Sequence, residues 1–235
     1  MNSMVRPGWA KWGLLGGVAL ALVACGGPAT PQASDQPTVE TLEGKVSAWK
    51  GEGRVAVPGL PDISSSVHSD GSFTLTLPAE ADLAKNVVPA AGITDKLDCS
   101  GTAQSSDPDA QAFAVMTLDA SDTSGRRQTS AVTGSKSGLL SRRVNARVWL
   151  YSDSLTQLRG TVNCAAILSL SQIPELPVTV AVNARPGWNV LDLNINVTAN
   201  ILAQVSASGS LVNFVAAGGQ TTFRTTKELQ AQVAF

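Results

Sequence analysis

Beyond residue 40, apolar side chains recur at every second position, separated by Gly, Pro, Asn and Asp. Leu42, Val46 and Ala48, then Val55 and Val57, alternate with polar neighbours, and Gly51-Glu52-Gly53 stands between them. That alternation predicts a half-buried strand pair joined by a turn. Phe73, Leu75 and Leu77 follow Val67 across Asp70-Gly71, which predicts a tight hairpin, and Pro78 ends the strand. Residues 79–88 predict a short helix with Leu83 and Val87 on one face, and residues 112–120 predict a further strand.

The second half is strand after strand. Val178, Val180 and Val182 share one face, as do Val190, Leu193, Ile195 and Val197 in the next run. Pro186-Gly187 suits the centre of a type II turn and predicts a hairpin over Thr179–Thr198. No internal repeat is visible. Turns roughly every 8 to 15 residues fit an antiparallel β-sandwich, not alternating strands and helices. The predicted fold is therefore all-β, as one large sandwich or two abutting ones. Its N-terminal half covers residues 40–118 and its C-terminal half residues 144–235. Between them, residues 119–143 are polar and rich in Gly and Ser, with Arg126, Arg127, Lys136, Arg142 and Arg143. They predict a long basic surface loop.

The first 39 residues break the alternation. Arg6 and Lys11 precede an apolar run from Trp12 to Ala24. A run of about a dozen is short of the roughly 20 residues that span a bilayer, and suits a cleaved leader. The run ends in Leu22-Val23-Ala24-Cys25, which resembles the lipobox of bacterial lipoproteins. The resemblance implies cleavage of residues 1–24, diacylglycerol on the Cys25 sulfur, and a location on the exported side of the bacterial cell envelope, held to a membrane by lipid. Residues 25–39 are rich in Pro, Ala, Ser and Gly and read as a flexible tether.

Composition narrows the partners. The chain carries 17 basic and 18 acidic residues, and 15 against 18 once Arg6 and Lys11 are removed with the leader. That mildly acidic balance argues against a nucleic-acid partner, which would favour a basic face. With Cys25 assigned to lipid, Cys99 and Cys164 remain, and an exported chain sits where disulfides persist. A bridge closing about 65 residues would stabilise by about 4 kcal/mol; the other reading is two buried free thiols.

Catalytic and metal signals are sparse. His68-Ser69-Asp70 juxtaposes three hydrolase residue types, but neighbours in a tight turn point in different directions. Asp95 with Asp98, and Asp107 with Asp109, read as solvated loop carboxylates, and two Cys with one His fall short of a zinc set. No catalytic residue, metal or cofactor is expected. Trp49 follows Val46 and Ala48, and Trp149 stands between Val148 and Leu150, so packing in the core or at a sheet edge is the default for them. As the second reading, Trp49, Trp149, Tyr151 and Trp188 are candidate ligand-facing rings, with Trp188, beside its turn, expected to be the most exposed.

The stretches "LEGKVSAW", "GRVAVPG" and "VHSDGSFTLTLP" resemble carboxypeptidase-regulatory-like, transthyretin-like β-sandwich modules over about 40 residues. Such modules are typically structural or adhesive. The expected role is that of a non-catalytic, tethered module that contacts another envelope component, protein or glycan. The alternative is a module that binds carbohydrate or a small ligand.

Overall fold

A computed structural model describes residues 36–168, 173–200, 204–215 and 220–234. In chain order the first strands are β1 (Thr41–Val46), β2 (Gly53–Val57), β3 (Leu60–Val67), β4 (Ser72–Thr76), β5 (Val88–Pro89) and β6 (Gln104–Ser105). Next come β7 (Gln111–Val115), β8 (Thr117–Asp122), β9 (Gly125–Ser130), β10 (Val132–Gly138) and β11 (Ser141–Ser152). The last are β12 (Thr156–Asn163), β13 (Pro177–Ala184), β14 (Gly187–Ala199), β15 (Val205–Asn213) and β16 (Thr221–Phe223). Helices are short: α1 (Glu80–Leu83), a 3₁₀ turn at Ala90–Leu97, α2 (Ala165–Leu168) and α3 (Thr226–Val233). No helix among the described residues is long and apolar enough to cross a membrane.

The strands form three sheets. The largest runs β5-β7-β11-β14-β15-β13-β12-β6, with β10 also on β11. Strand β11 is long enough to carry two partners on one edge, β10 along Ser141–Ala146 and β7 along Trp149–Ser152. The sheet curls into an open half-barrel. Its outermost strands, β5 and β6, are joined by the 3₁₀ segment, and Ala103 N–H donates to the Ala91 carbonyl at 3.1 Å. Sheets β16-β1-β4 and β3-β2-β8-β9 complete the fold.

Two cores result. The concave side of the half-barrel is filled by Val144, Val148, Leu150, Val180, Val182, Leu193 and Ile195, with Ile93 and Leu97 of the 3₁₀ turn inserted. The second core lies between the outer face of the same sheet and the two smaller sheets, and holds Leu42, Phe73, Leu75, Val55, Leu118, Trp149 and Phe223. Strand side chains alternate between faces. The second half of β11 therefore sends Val148 and Leu150 into one core, and Trp149 and Tyr151 into the other. This is an all-β, partly sandwich-like fold in which one sheet serves both cores.

Several sequence expectations are corrected. Residues 119–143 are not a loop: they hold the end of β8, β9 and β10. Both β9 and β10 lie at sheet edges and turn few side chains inward, chiefly Thr129 and Val132. Edge strands are normally polar and charged, so their hydrophobic alternation is faint. Residues 112–120 are two strands, since the chain passes at Met116 from the large sheet to the small one. The turns at 51–53 and 68–72 are where expected, but their flanking strands join different sheets: β1 and β4 one, β2 and β3 the other. At 68–72, Gly71 N–H donates to His68 O at 2.8 Å and His68 N–H to Ser72 O at 2.8 Å, with Gly71 at φ +89°. That pattern fits a turn closed by a glycine bulge, not a type I′ turn.

The hairpin over Thr179–Thr198 is likewise absent. Strand β15 lies between β13 and β14, antiparallel to β14 and parallel to β13. Side-chain amides make the wider crossover possible. Asn189 Nδ2 donates to the carbonyls of Arg185 (2.8 Å) and Gly187 (3.0 Å), and its Oδ1 accepts from Arg185 N–H at 3.0 Å. Asn213 satisfies both backbone groups of Asn183, at 2.7 and 2.8 Å. The predicted helix at 79–88 is reduced to the single turn α1, with Leu83 buried.

Candidate functional site

Cys25 lies outside the described residues, as do the leader and most of the tether. Cys99 and Cys164 are bonded, with S–S 2.02 Å, and both are buried. The bond sits at the seam of the half-barrel. Beside it Ser100 and Asn163 exchange backbone hydrogen bonds of 2.7 and 2.9 Å. Asn163 Oδ1 accepts from Ala165 and Leu176 N–H, fixing the chain that leaves β12.

The rings take the packed reading, and the ligand-facing alternative, with an exposed Trp188, fails on burial. Trp149, Tyr151 and Trp188 are 3, 5 and 5% exposed. Trp149 stacks on Phe223 at 6.0 Å, and Trp188 meets Tyr151 at 5.7 Å and Phe113 at 6.2 Å. The indole of Trp188 donates to Pro78 O at 2.9 Å, and its backbone carbonyl accepts from Val39 N–H, so the entering chain covers it. Trp49 is half-buried, with its Nε1 on Gly51 O and the Arg127 guanidinium 5.5 Å from its ring. The four rings share no open face: the second layer, unseen in the alternation, covers three of them.

Trp49 belongs instead to a charged clasp that sequence reading missed. Arg127 Nη2 contacts Asp122 Oδ2 at 2.9 Å, and Lys50 N–H and Ser124 N–H donate to the same carboxylate at 3.1 and 2.8 Å. The clasp fastens the β8–β9 turn to the chain between β1 and β2. The Arg127 guanidinium holds the Asp122 carboxyl well below the usual carboxylate range. Glu228 is also lowered: burial opposes this, but hydrogen bonds from Thr225 and Ser47 outweigh it. Carboxylates depressed in the folded state contribute stability that is complete above their unfolded pKa, about 4, and lost as pH falls through the folded value. Urea midpoints should hold from pH 7 to about 5 and fall below about 4. Asp122→Asn should flatten that acid limb, while removing about 2 kcal/mol at neutral pH.

No catalytic constellation assembles around the remaining candidates. His68 is exposed at its turn, and Asp70 beside it is engaged by Ser72 N–H (3.0 Å), Ser72 Oγ (2.7 Å) and Lys45 (3.6 Å). Asp95 and Asp98 are exposed, and Asp107 accepts from Asp109 N–H and Ser154 Oγ. Among the described residues no group of three or more His, Cys, Asp or Glu could hold a metal ion.

Part of the large sheet's outer face is uncovered. One cross-strand row reads Thr133, Asn145, Asn194, Ser210, Thr179 and Thr161, over six strands from β10 to β12. At strand spacings of about 4.8 Å the row is about 24 Å long. Beside it Arg147 and Asp192 face each other across β11 and β14, half-buried. Burial raises the Asp192 carboxyl and lowers the Arg147 guanidinium. Arg147 lies over the Phe214 ring at 4.0 Å and donates to Thr221 Oγ1 at 3.0 Å. The face offers amides and hydroxyls in register, suited to hydrogen bonding, without a nucleophile and base in contact. A shallow cleft of about 340 Å³ lies on the sheet β3-β2-β8-β9 among Arg54, Asp62, Asp119 and Arg126. No protein-family model, curated protein or solved structure matches this chain.

Proposed function

We propose that the chain is a lipid-anchored protein of the bacterial cell envelope with a structural or interaction role. The observation that carries the reading is Leu22-Val23-Ala24-Cys25, behind a basic and apolar leader and ahead of a small-residue tether. Cysteine usage supports it. The chain has three cysteines, and the Cys99–Cys164 bond leaves Cys25 as the thiol without a partner in the chain. The disulfide also suits an oxidising compartment.

The kinship with transthyretin-like, carboxypeptidase-regulatory-like modules belongs to the same proposal. It is supported by β1 to β4, which divide between two sheets around a shared core, with the Gly71 turn just before Phe73. The polar outer face supports an interaction role, since a partner there would be held by hydrogen bonds. Its amide and hydroxyl row also favours the second reading, a glycan ligand, now by way of the strands and not the buried tryptophans.

Acylation tests the proposal. Protein extracted from membranes should begin at an acylated Cys25, and should take up radioactive palmitate. Cys25→Ser should take up none. An unacylated N-terminus at any other position would sink the reading.

A further inference from the structure

Strands β10 and β11 turn over at Gly138–Ser141, and there Leu139 is 91% and Leu140 40% exposed. Single exposed apolar residues are ordinary. Here two adjacent leucines crown a convex tip that the fold holds firmly. Buried Arg142, 3% exposed, donates through Nη1 to the carbonyls of Gly138 (3.1 Å), Leu139 (3.4 Å) and Ser141 (2.9 Å). Its Nε and Nη2 reach Ala234 O at 3.1 and 2.8 Å, and Ala199 N–H donates to Leu140 O at 2.8 Å. The backbone of the tip is pinned while its leucine side chains stand in water.

Among the described residues the charge beside the tip has one sign. Lys136 and Arg143 are exposed on the two strands just beneath it, and the sequence has no Asp or Glu between Asp122 and Asp153. The adjacent end of β14 and β15 presents Thr198, Asn200 and Gln204, all uncharged. An apolar tip above a basic collar is the arrangement that enters an anionic lipid interface. A protein partner would have to supply a groove for a projecting point.

Position decides which lipid surface. Ser141 pairs with Thr198 at one end of β14, whereas the chain enters the domain at the other end, where Val39 bridges Trp188. The eleven steps of β14 from Gly187 to Thr198 span about 37 Å. The eleven residues from Cys25 to Asp35 reach at most about 40 Å when fully drawn out. The tip therefore lies at the end of β14 opposite the entering chain, and meeting the anchored bilayer tip-first would take nearly the whole of that reach. Resting on the lipoprotein reading, we infer that Leu139 and Leu140 insert into a second, anionic bilayer, with Lys136 and Arg143 at its headgroups, so that the protein bridges two lipid surfaces.

The test uses the full acylated protein reconstituted into neutral phosphatidylcholine vesicles. These are mixed with labelled vesicles containing about 30 mol% phosphatidylglycerol, and capture is read by co-flotation. The native protein should capture the anionic vesicles, and about 0.5 M salt should weaken the capture. Leu139→Ser with Leu140→Ser should lower it about tenfold or more, as should Lys136→Gln with Arg143→Gln. Capture that survives both pairs of substitutions overturns the inference. So does an absence of capture by protein that floats with the first vesicles, the result expected if the tip binds an envelope protein instead. Protein that does not float with the first vesicles overturns the anchor reading, and the bridge with it.

Discussion

Replacing Cys99 and Cys164 with alanine should lower the unfolding free energy by about 4 kcal/mol. The bond spans 65 residues, so much of the effect comes from restoring freedom to the unfolded chain. Its place in the fold adds to this. It closes the side of the half-barrel where β5 and β6 are joined only through the 3₁₀ segment, and Ile93 and Leu97 are held in the core from that segment. Urea titration should show a lower midpoint and a steeper dependence on denaturant, because the unlooped chain exposes more surface. Reductant should shift the native protein in the same direction and leave the double variant unmoved. Equal midpoints for the two proteins would mean that the seam is held by something else.

Phe223→Ala should cost about 3–5 kcal/mol, the second large effect. Phe223 is fully buried, stacked on Trp149 at 6.0 Å and tilted against Phe73 at 5.5 Å. Beneath it lies Gly44, where a Cβ would come within 2.5 Å of the Phe73 ring and 2.8 Å of Phe223. The cluster is thus filled from both sides and has little means to collapse into a void. The loss should appear in the urea midpoint and in the near-ultraviolet signal of Trp149. Phe223→Leu, which keeps most of the volume, should cost less than half as much. An alanine variant as stable as the native protein would contradict this packing.

What could be read from the residues follows from where water lies. Strands with one wet and one dry face announce themselves, as Phe73, Leu75 and Leu77 do, or Val178, Val180 and Val182. Strands at an edge do not: β9 carries Arg126 and Arg127 yet is fully paired with β8 along one side. Alternation also says nothing about which sheet a strand joins. Hence Val55 and Val57 are correctly inward while the pairing of β2 with β1 is not found. The cysteine pair was legible by counting. The packing of Trp149 was legible from Val148 and Leu150 beside it, but the burial of Trp188 was not, because it depends on a second layer contributed by distant segments. Helix α3 had a local signature: Thr225 and Glu228 form a capping box, with Thr225 N–H on Glu228 Oε2 at 2.8 Å.

The parallel pairing of β1 with β16 has a consequence for the order of assembly. Among the described strands β1 leaves the ribosome first, and its second neighbour, β16, leaves last. Strand β1 can find β4 early, but its other edge stays open and Phe223 is missing from the core until β16 appears. Pairings so distant in sequence make for high contact order and slow folding, leaving the incomplete chain loose. A product cut short before residue 221 exposes a bare strand edge and half a core, so the closing strand acts as a check on completeness.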